Sequence, residues 1–354
     1  MTRAYINQIG TARPQHDVHA AFLDFMGRGL PDERHRSLFE RMARRSGIAH
    51  RYSVLHEDGM VEAEAPQDGF YRRGAFPSTA KRMQTYAVHA PALAERAVAV
   101  LKLQGREEEI THLIVASCTG FIAPGLDQVL AQRLGLRPDL KRTLVGFMGC
   151  AAAIPALRLA QACVLADPGA RVLVVNLELC TLHMQETDDV EIALSFMLFG
   201  DGCTAALVTA EPRGLALEDF RVTQIPDTAE LITWHIGDQG FIMHLSGKVP
   251  SKISDSLRSE RDFVLRDERP QAIDLWAVHG GGRSVLDAVQ SGLSLEQDAL
   301  TPSRAVLAAC GNMSSATIMF VLAGMLGTAR AGQRGLAMAF GPGMVAETFR
   351  FSVV

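Results

Sequence analysis

The sequence predicts an α/β protein built from two similar halves, with helices stacked between buried sheets. One observation behind this is a series of apolar, β-rich runs with helical patterns between them. They are 111–120 (THLIVASCTG), 170–181 (ARVLVVNLELCT), 203–210 (CTAALVTA), 273–282 (IDLWAVHGGG) and 334–343 (RGLAMAFGPG). Runs that are apolar throughout suit strands covered on both faces. The second observation is an internal repeat. Segment 113–136 reads like 275–295: an apolar strand, a residue of reactive type, glycine, then a helix containing Leu-Asp. Segment 149–162 (GCAAAIPALRLAQA) parallels 311–324 (GNMSSATIMFVLAG), and the run from 170 parallels the run from 334. These pairs keep the same order, which divides the chain into halves 1–212 and 213–354 and speaks against chance likeness.

Along the chain, each element carries a reason. In LFERMARRSGIAHRY, Arg41 and Arg45 are four apart and share one helix face. A solvated basic face would look the same. The strand at 111–120 ends on Cys118 and Thr119. Cys150 sits between a strand-like segment and an apolar helix stopped by Pro168-Gly169. At a helix N-terminus a thiol meets unpaired N–H groups and the positive dipole end, so a lowered thiol pKa is expected. His279 ends an apolar strand just before three glycines, and Asn312 opens the second apolar helix, where an N-cap is its ordinary role. Glu178 and Asp201 read as structural. Stacking two copies through their helices brings the strand-end turns to one cavity, with Cys118 and Cys150 facing His279 and Asn312.

Composition removes several alternatives. The 354 residues are 48% hydrophobic and 21% charged, with a net charge of -4 and no long basic run, so nucleic acid is not an expected partner. No run reaches the roughly 18 consecutive apolar residues a membrane span needs. The opening MTRAYINQIGTARPQHD lacks the apolar core of a signal peptide, and a cytoplasmic protein is expected. Six scattered cysteines without a CxxC pair form neither a disulfide framework nor an expected metal site.

Cys, His and Asn together suit one chemistry. A thiol nucleophile needs a base, and His is the usual one. Decarboxylation of a malonyl thioester makes an enolate, and a His N–H with an Asn NH₂ can hold its oxygen without a metal. The set fits thioester capture followed by decarboxylative Claisen condensation.

The segments GFMGCAAA, FGDG (199–202), VHGGG, GNMSSAT and AFGPGMVAET resemble, in order and spacing, the type III polyketide synthase (chalcone synthase-like) family, in its bacterial form. The resemblance spans about 35–350. It implies the thiolase-like duplicated αβαβα five-layer fold, a homodimer, acyl-CoA and malonyl-CoA as substrates, and no cofactor. It implies Cys150 as nucleophile with His279 and Asn312 as its catalytic partners. It implies Phe199 and Met243 as gatekeepers. Cys118, Thr119, His183, Trp234, Ser314, Phe340, Gly341 and Pro342 are implied as cavity residues, and Arg41, Arg45 and Ser284 as contacts for CoA. Met243, Gly280, Cys118, His183 and Trp234 depart from the plant pattern, where Phe, Pro, Thr, Thr and Gly stand. The expected product is of alkylpyrone or alkylresorcinol type. The alternatives are a tetrahydroxynaphthalene- or phloroglucinol-type synthase using malonyl-CoA only, an initiating ketoacyl-ACP synthase, a thiolase, or a silent acyl-CoA-binding relative. Retention of all three reactive residues argues against the last.

Overall fold

The computed structural model describes residues 2–103 and 105–354. In the first half, β1 (Tyr5–Ala12), β2 (His112–Ser117), β3 (Lys141–Gly146), β4 (Val172–Leu179) and β5 (Asp201–Thr209) lie side by side in the order β3-β2-β4-β5-β1. The second half contains β6 (Leu215–Gln224), a hairpin of β7 (Ile232–Gly237) and β8 (Gly240–Leu245), then β9 (Leu275–Val278), β10 (Arg334–Gly341) and β11 (Val345–Val353). Its sheet order is β9-β10-β11-β6, with the same sequence of senses: β2–β4 and β9–β10 are parallel, and the pairs that follow are antiparallel. The halves join where β1 meets β6, Ile6 opposite Leu215, giving one nine-stranded sheet. Among the described residues the second half has no strand equivalent to β3.

Five layers result. Helices Ala153–Ala166 and Ala316–Thr328 share the central core with Val172 and Val174 of β4 and Ala337 and Ala339 of β10. The alternate residues, Leu173 and Val175, face outward onto helix Thr79–Ala99. Leu336 and Met338 face outward onto helices Val249–Ser259 and Arg283–Leu293. Every residue of β4 and β5 is buried, which is why these runs show no alternation of polar and apolar residues. The segment Gly149–Ala166 is long and apolar enough to cross a membrane; here it is the inner helix of the first half, packed on both half-sheets.

The sequence pattern did not disclose β1, β6, β11 or the hairpin. In the hairpin, Ile232 and Trp234 on β7 and Met243 and Leu245 on β8 face the interior, while Ile236 and Ile242 are exposed. The period-2 signal is present over Ile232–Gly237 but short, and in β8 the consecutive Phe241, Ile242 and Met243 break it. The hairpin is the element that closes the cavity described next.

Candidate active site

The turn that carries Cys150 is built by close packing. After β3 the chain passes Phe147 and Gly149 with φ of 53° and 59°, and a 3₁₀ turn at Gly149–Ala151 leads into helix Ala153–Ala166. A Cβ on Gly149 would lie 2.3 Å from Cδ of Pro342. Only glycine permits both the left-handed conformation and this approach. Gly149→Ala is therefore expected to cost about 2–4 kcal/mol, the sum of overpacking and backbone strain. Denaturant unfolding checks it; a loss well under 1 kcal/mol would mean the loop at 340–342 yields freely.

His279 follows β9, its N–H donating to the carbonyl of Met338 at 2.8 Å. Its ring is buried and neither nitrogen has a hydrogen-bond partner among the described residues. Asn312 is oriented by its own backbone: Oδ1 accepts from the Ser314 N–H at 2.8 Å, and Nδ2 donates to the Gly281 carbonyl at 3.2 Å. The second Nδ2 hydrogen is left for the cavity, where it meets the Cys150 thiol. Cys150, His279 and Asn312 line one mostly apolar cavity.

Burial decides the protonation of each group. It pushes the Cys150 thiol up to about 11, against the hydrogen bonds from Ser314 and Asn312 that favour thiolate. The helix-terminus expectation of a lowered value is thus corrected: removal from water outweighs the dipole. Burial also lowers His279 to about 4, so the ring is neutral near neutral pH and able to take a proton. A proton passed from Cys150 to His279 would leave the net charge of the site unchanged.

The walls follow from the hairpin and the strand ends. Phe199, Met243, Cys118, Thr119, Trp234, Ser314, Phe340, Gly341 and Pro342 all face the cavity. Trp234, opposite Met243 in the hairpin, donates its Nε1–H to the Cys118 carbonyl at 2.8 Å, and Cys118 Sγ accepts from the Gly149 N–H at 3.0 Å. His183 departs from expectation: it stands behind the wall. Its Nδ1 accepts from the Phe241 N–H at 3.0 Å, Nε2 donates to the Thr119 carbonyl at 2.8 Å, and its ring stacks on Phe241. Burial pushes it down to about 3, which keeps it neutral for that bridging role. Cys180, read from sequence as a small buried residue, is on the wall.

An open groove adjoins the cavity across Val249, Gly281 and Val285, and its rim holds Arg45 and Ser284. Arg41 is not among the groove residues; Arg283 is, and its guanidinium donates to the Arg45 carbonyl at 3.3 Å. The sequence reading passed over Arg283 because it looked for cations on the helix Glu33–Arg45 alone.

Glu178 ties the two halves beneath the site. It accepts from Ser315 Oγ at 2.6 Å, Thr119 Oγ1 at 2.9 Å and the Cys118 N–H at 3.0 Å. Burial raises it from 4.5 to about 7. Between those values the folded chain binds more protons than the unfolded one at Glu178, so this contribution to stability falls as pH rises through the window. Asp201, raised to about 6, acts in the same sense. His19, His183 and His279, lowered from 6.5, act in the opposite one. Glu178→Gln removes only the first contribution. The stability of the variant minus that of the parent is expected to rise from about pH 5 to about pH 8. Urea unfolding at several pH values reads this, and a flat difference would contradict the ionisation assigned.

Comparison with known proteins agrees with this geometry. The family model described as "Chalcone and stilbene synthases, N-terminal domain" matches residues 2–212, and that for the C-terminal domain matches 217–354. The chain is 33% identical to "Alpha-pyrone synthesis polyketide synthase-like Pks18" of Mycobacterium tuberculosis, covering 100% of this chain and 92% of the relative. Among solved structures, PKS-I from the brown alga Ectocarpus siliculosus is 30% identical with a TM-score of 0.89, covering 100% of this chain and 99% of that one. The C-terminal type III polyketide synthase domain of Steely1 from Dictyostelium, 24% identical with a TM-score of 0.88 and 99% coverage of both chains, shares the thiolase-like fold. Matched across both halves by the two domain models, the chain belongs to the chalcone and stilbene synthase family, the type III polyketide synthases, which are acyltransferases working on CoA thioesters without a further cofactor.

Proposed function

We propose that this chain condenses an alkyl acyl-CoA starter with malonyl-CoA and releases an alkylpyrone or alkylresorcinol type of product, the pyrone being favoured. Cys150 loses its proton to His279 and attacks the starter thioester, and CoA leaves with a proton. Malonyl-CoA enters through the groove rimmed by Arg45, Arg283 and Ser284 and loses carbon dioxide. The enolate oxygen is held by a His279 N–H and the second Asn312 Nδ2–H, and the enolate carbon attacks the acyl thioester, freeing the Cys150 sulfur. The lengthened chain, now on CoA, returns to Cys150 for each further extension; at the end an enol oxygen of the chain attacks its own thioester carbonyl, closes a lactone and expels the thiol that carried it.

The observation that carries the starter is a second apolar pocket that shares Cys180, Phe196 and Phe199 with the catalytic cavity. Phe22, Leu55, Met60 and Met184 line its far side. A chain held at Cys150 has apolar surface to bury past Cys180, which rewards a long alkyl tail. The α-pyrone in the name of the Mycobacterium relative points the same way. The reading includes a homodimer formed at the β3 edge, where Phe121, Leu144 and Met148 are exposed.

Mass spectrometry of products from acyl-CoA starters of increasing length with malonyl-CoA tests it. Products carrying the intact starter, with longer alkyl starters preferred over acetyl-CoA, are expected. A product from malonyl-CoA alone, at a rate no starter improves, would replace this reading with a malonyl-only synthase. Dependence on an acyl carrier protein would replace it with a ketoacyl-ACP synthase. A solution mass of one chain would remove the dimer.

A further inference from the structure

We propose that Arg51 is a positioning residue that holds the neck aromatic Phe199 and the enolate-binding Asn312 together as one rigid unit, an inference that rests on the reading above. Its side chain is 1% exposed. A cation so placed is costly unless its donors are spent on something specific. Among the described residues it forms no ion pair with a carboxylate. Nη1 donates to the carbonyls of Phe199 at 2.7 Å and Phe196 at 3.2 Å, and Nε donates to Nδ1 of His19 at 2.9 Å. The guanidinium lies over the ring of Phe22 at 4.2 Å, which supplies cation–π support where water cannot.

The segment it grips is the one that pairs with Asn312. Phe199 and Asn312 form an isolated parallel bridge: the Asn312 N–H donates to the Leu198 carbonyl at 2.8 Å, and the Gly200 N–H donates to the Asn312 carbonyl at 3.0 Å. Arg51 also touches the other side of that bridge. Gly311 has φ of 68°, and a Cβ there would lie 2.8 Å from the Leu198 carbonyl and 2.9 Å from Cγ of Arg51. The aliphatic stem of Arg51 thus packs on the backbone just before Asn312, while its head holds the carbonyls around Phe199. Cys150 meets Asn312 and Ser314 through its thiol but is carried by a separate turn from the first half of the chain, braced by Pro342 and Cys118. Loosening Arg51 therefore moves the enolate donor and the neck and leaves the thiol in place.

Arg51→Met keeps the stem and removes every donor; Arg51→Lys keeps one charged head that reaches a single carbonyl. Two rates are measured on the same preparation, each normalised to the Cys150 thiol that titrates with acyl-CoA: single-turnover loading of an acyl group, followed by intact-protein mass, and release of carbon dioxide from malonyl-CoA. The expected result is a fall in decarboxylation of about 10-fold or more in Arg51→Met, with loading changed by less than about 3-fold, and partial recovery in Arg51→Lys. A merely structural role lowers the titratable fraction and leaves the ratio of the two rates at the parent value; that outcome overturns the proposal. Where Arg51→Met does not fold, the same ratio in Arg51→Lys decides. Parent protein that neither loads nor decarboxylates overturns the functional reading itself and this inference with it, which separates the two failures.

Discussion

Cys150→Ala is expected to abolish product formation, by at least about 10³-fold, while leaving carbon dioxide release from malonyl-CoA. The separation follows from where the groups sit. In the proposed scheme the sulfur is the only protein atom that carries the acyl chain. The enolate is held by His279 and Asn312, and neither depends on the thiol for its place: His279 is fixed at the end of β9 through Met338, and Asn312 through Leu198, Ser314 and Gly281. Replacing a buried thiol with a methyl group leaves only a small cavity, so the fold is expected to stay intact. Product analysis and carbon dioxide release on one preparation check both halves of the expectation. Loss of decarboxylation together with product would mean that the sulfur helps bind the malonyl group, and the division of labour would need redrawing.

Asn312→Ala is expected to act in the complementary way, lowering decarboxylation by about 10²–10³-fold with little effect on the KM for malonyl-CoA. The second Nδ2 hydrogen acts on charge that develops only after carbon dioxide begins to leave, so its loss is felt in the transition state and hardly in the bound substrate. The same substitution strips the Ser314 N–H of its acceptor, a cost of roughly 1 kcal/mol in stability. Acyl loading onto Cys150 is measured beside it; Asn312 also favours the thiolate, so loading is expected to fall far less than decarboxylation. Full decarboxylation by Asn312→Ala would remove the enolate role; loss of loading in parallel would show that the turn at 312–315 had collapsed.

Much of the fold was legible because buried strands write themselves as unbroken apolar runs. The runs at 170–181 and 203–210 became β4 and β5, buried at every residue, and the repeat of glycine, reactive residue and apolar helix became the two central helices. The hairpin was passed over although Ile232, Thr233, Trp234, His235 and Ile236 alternate apolar and polar residues; five residues are a short signal, and in β8 the consecutive Phe241, Ile242 and Met243 break it. His183 shows a different limit. Its place in the chain put it beside the cavity, but its ring turns back to bridge Thr119 and Phe241, and only the three-dimensional position of those backbone groups could reveal that. Arg51 lay inside a basic segment that read as a surface for phosphates, and nothing local marks it as the one cation of that stretch that folds inward.

What the sequence alone determined is the fully buried strands, the order of the repeated segments and the residue types able to react, since these rest on local periodicity and on side-chain chemistry. The tertiary structure decided the direction in which burial shifts Cys150 and His279, the cavity wall that Phe199 shares with Met243, and the second pocket beside Cys180. The reason is physical: a pKa and a cavity are set by which atoms exclude water from a point in space, and those atoms come from both halves of the chain and from the hairpin between them.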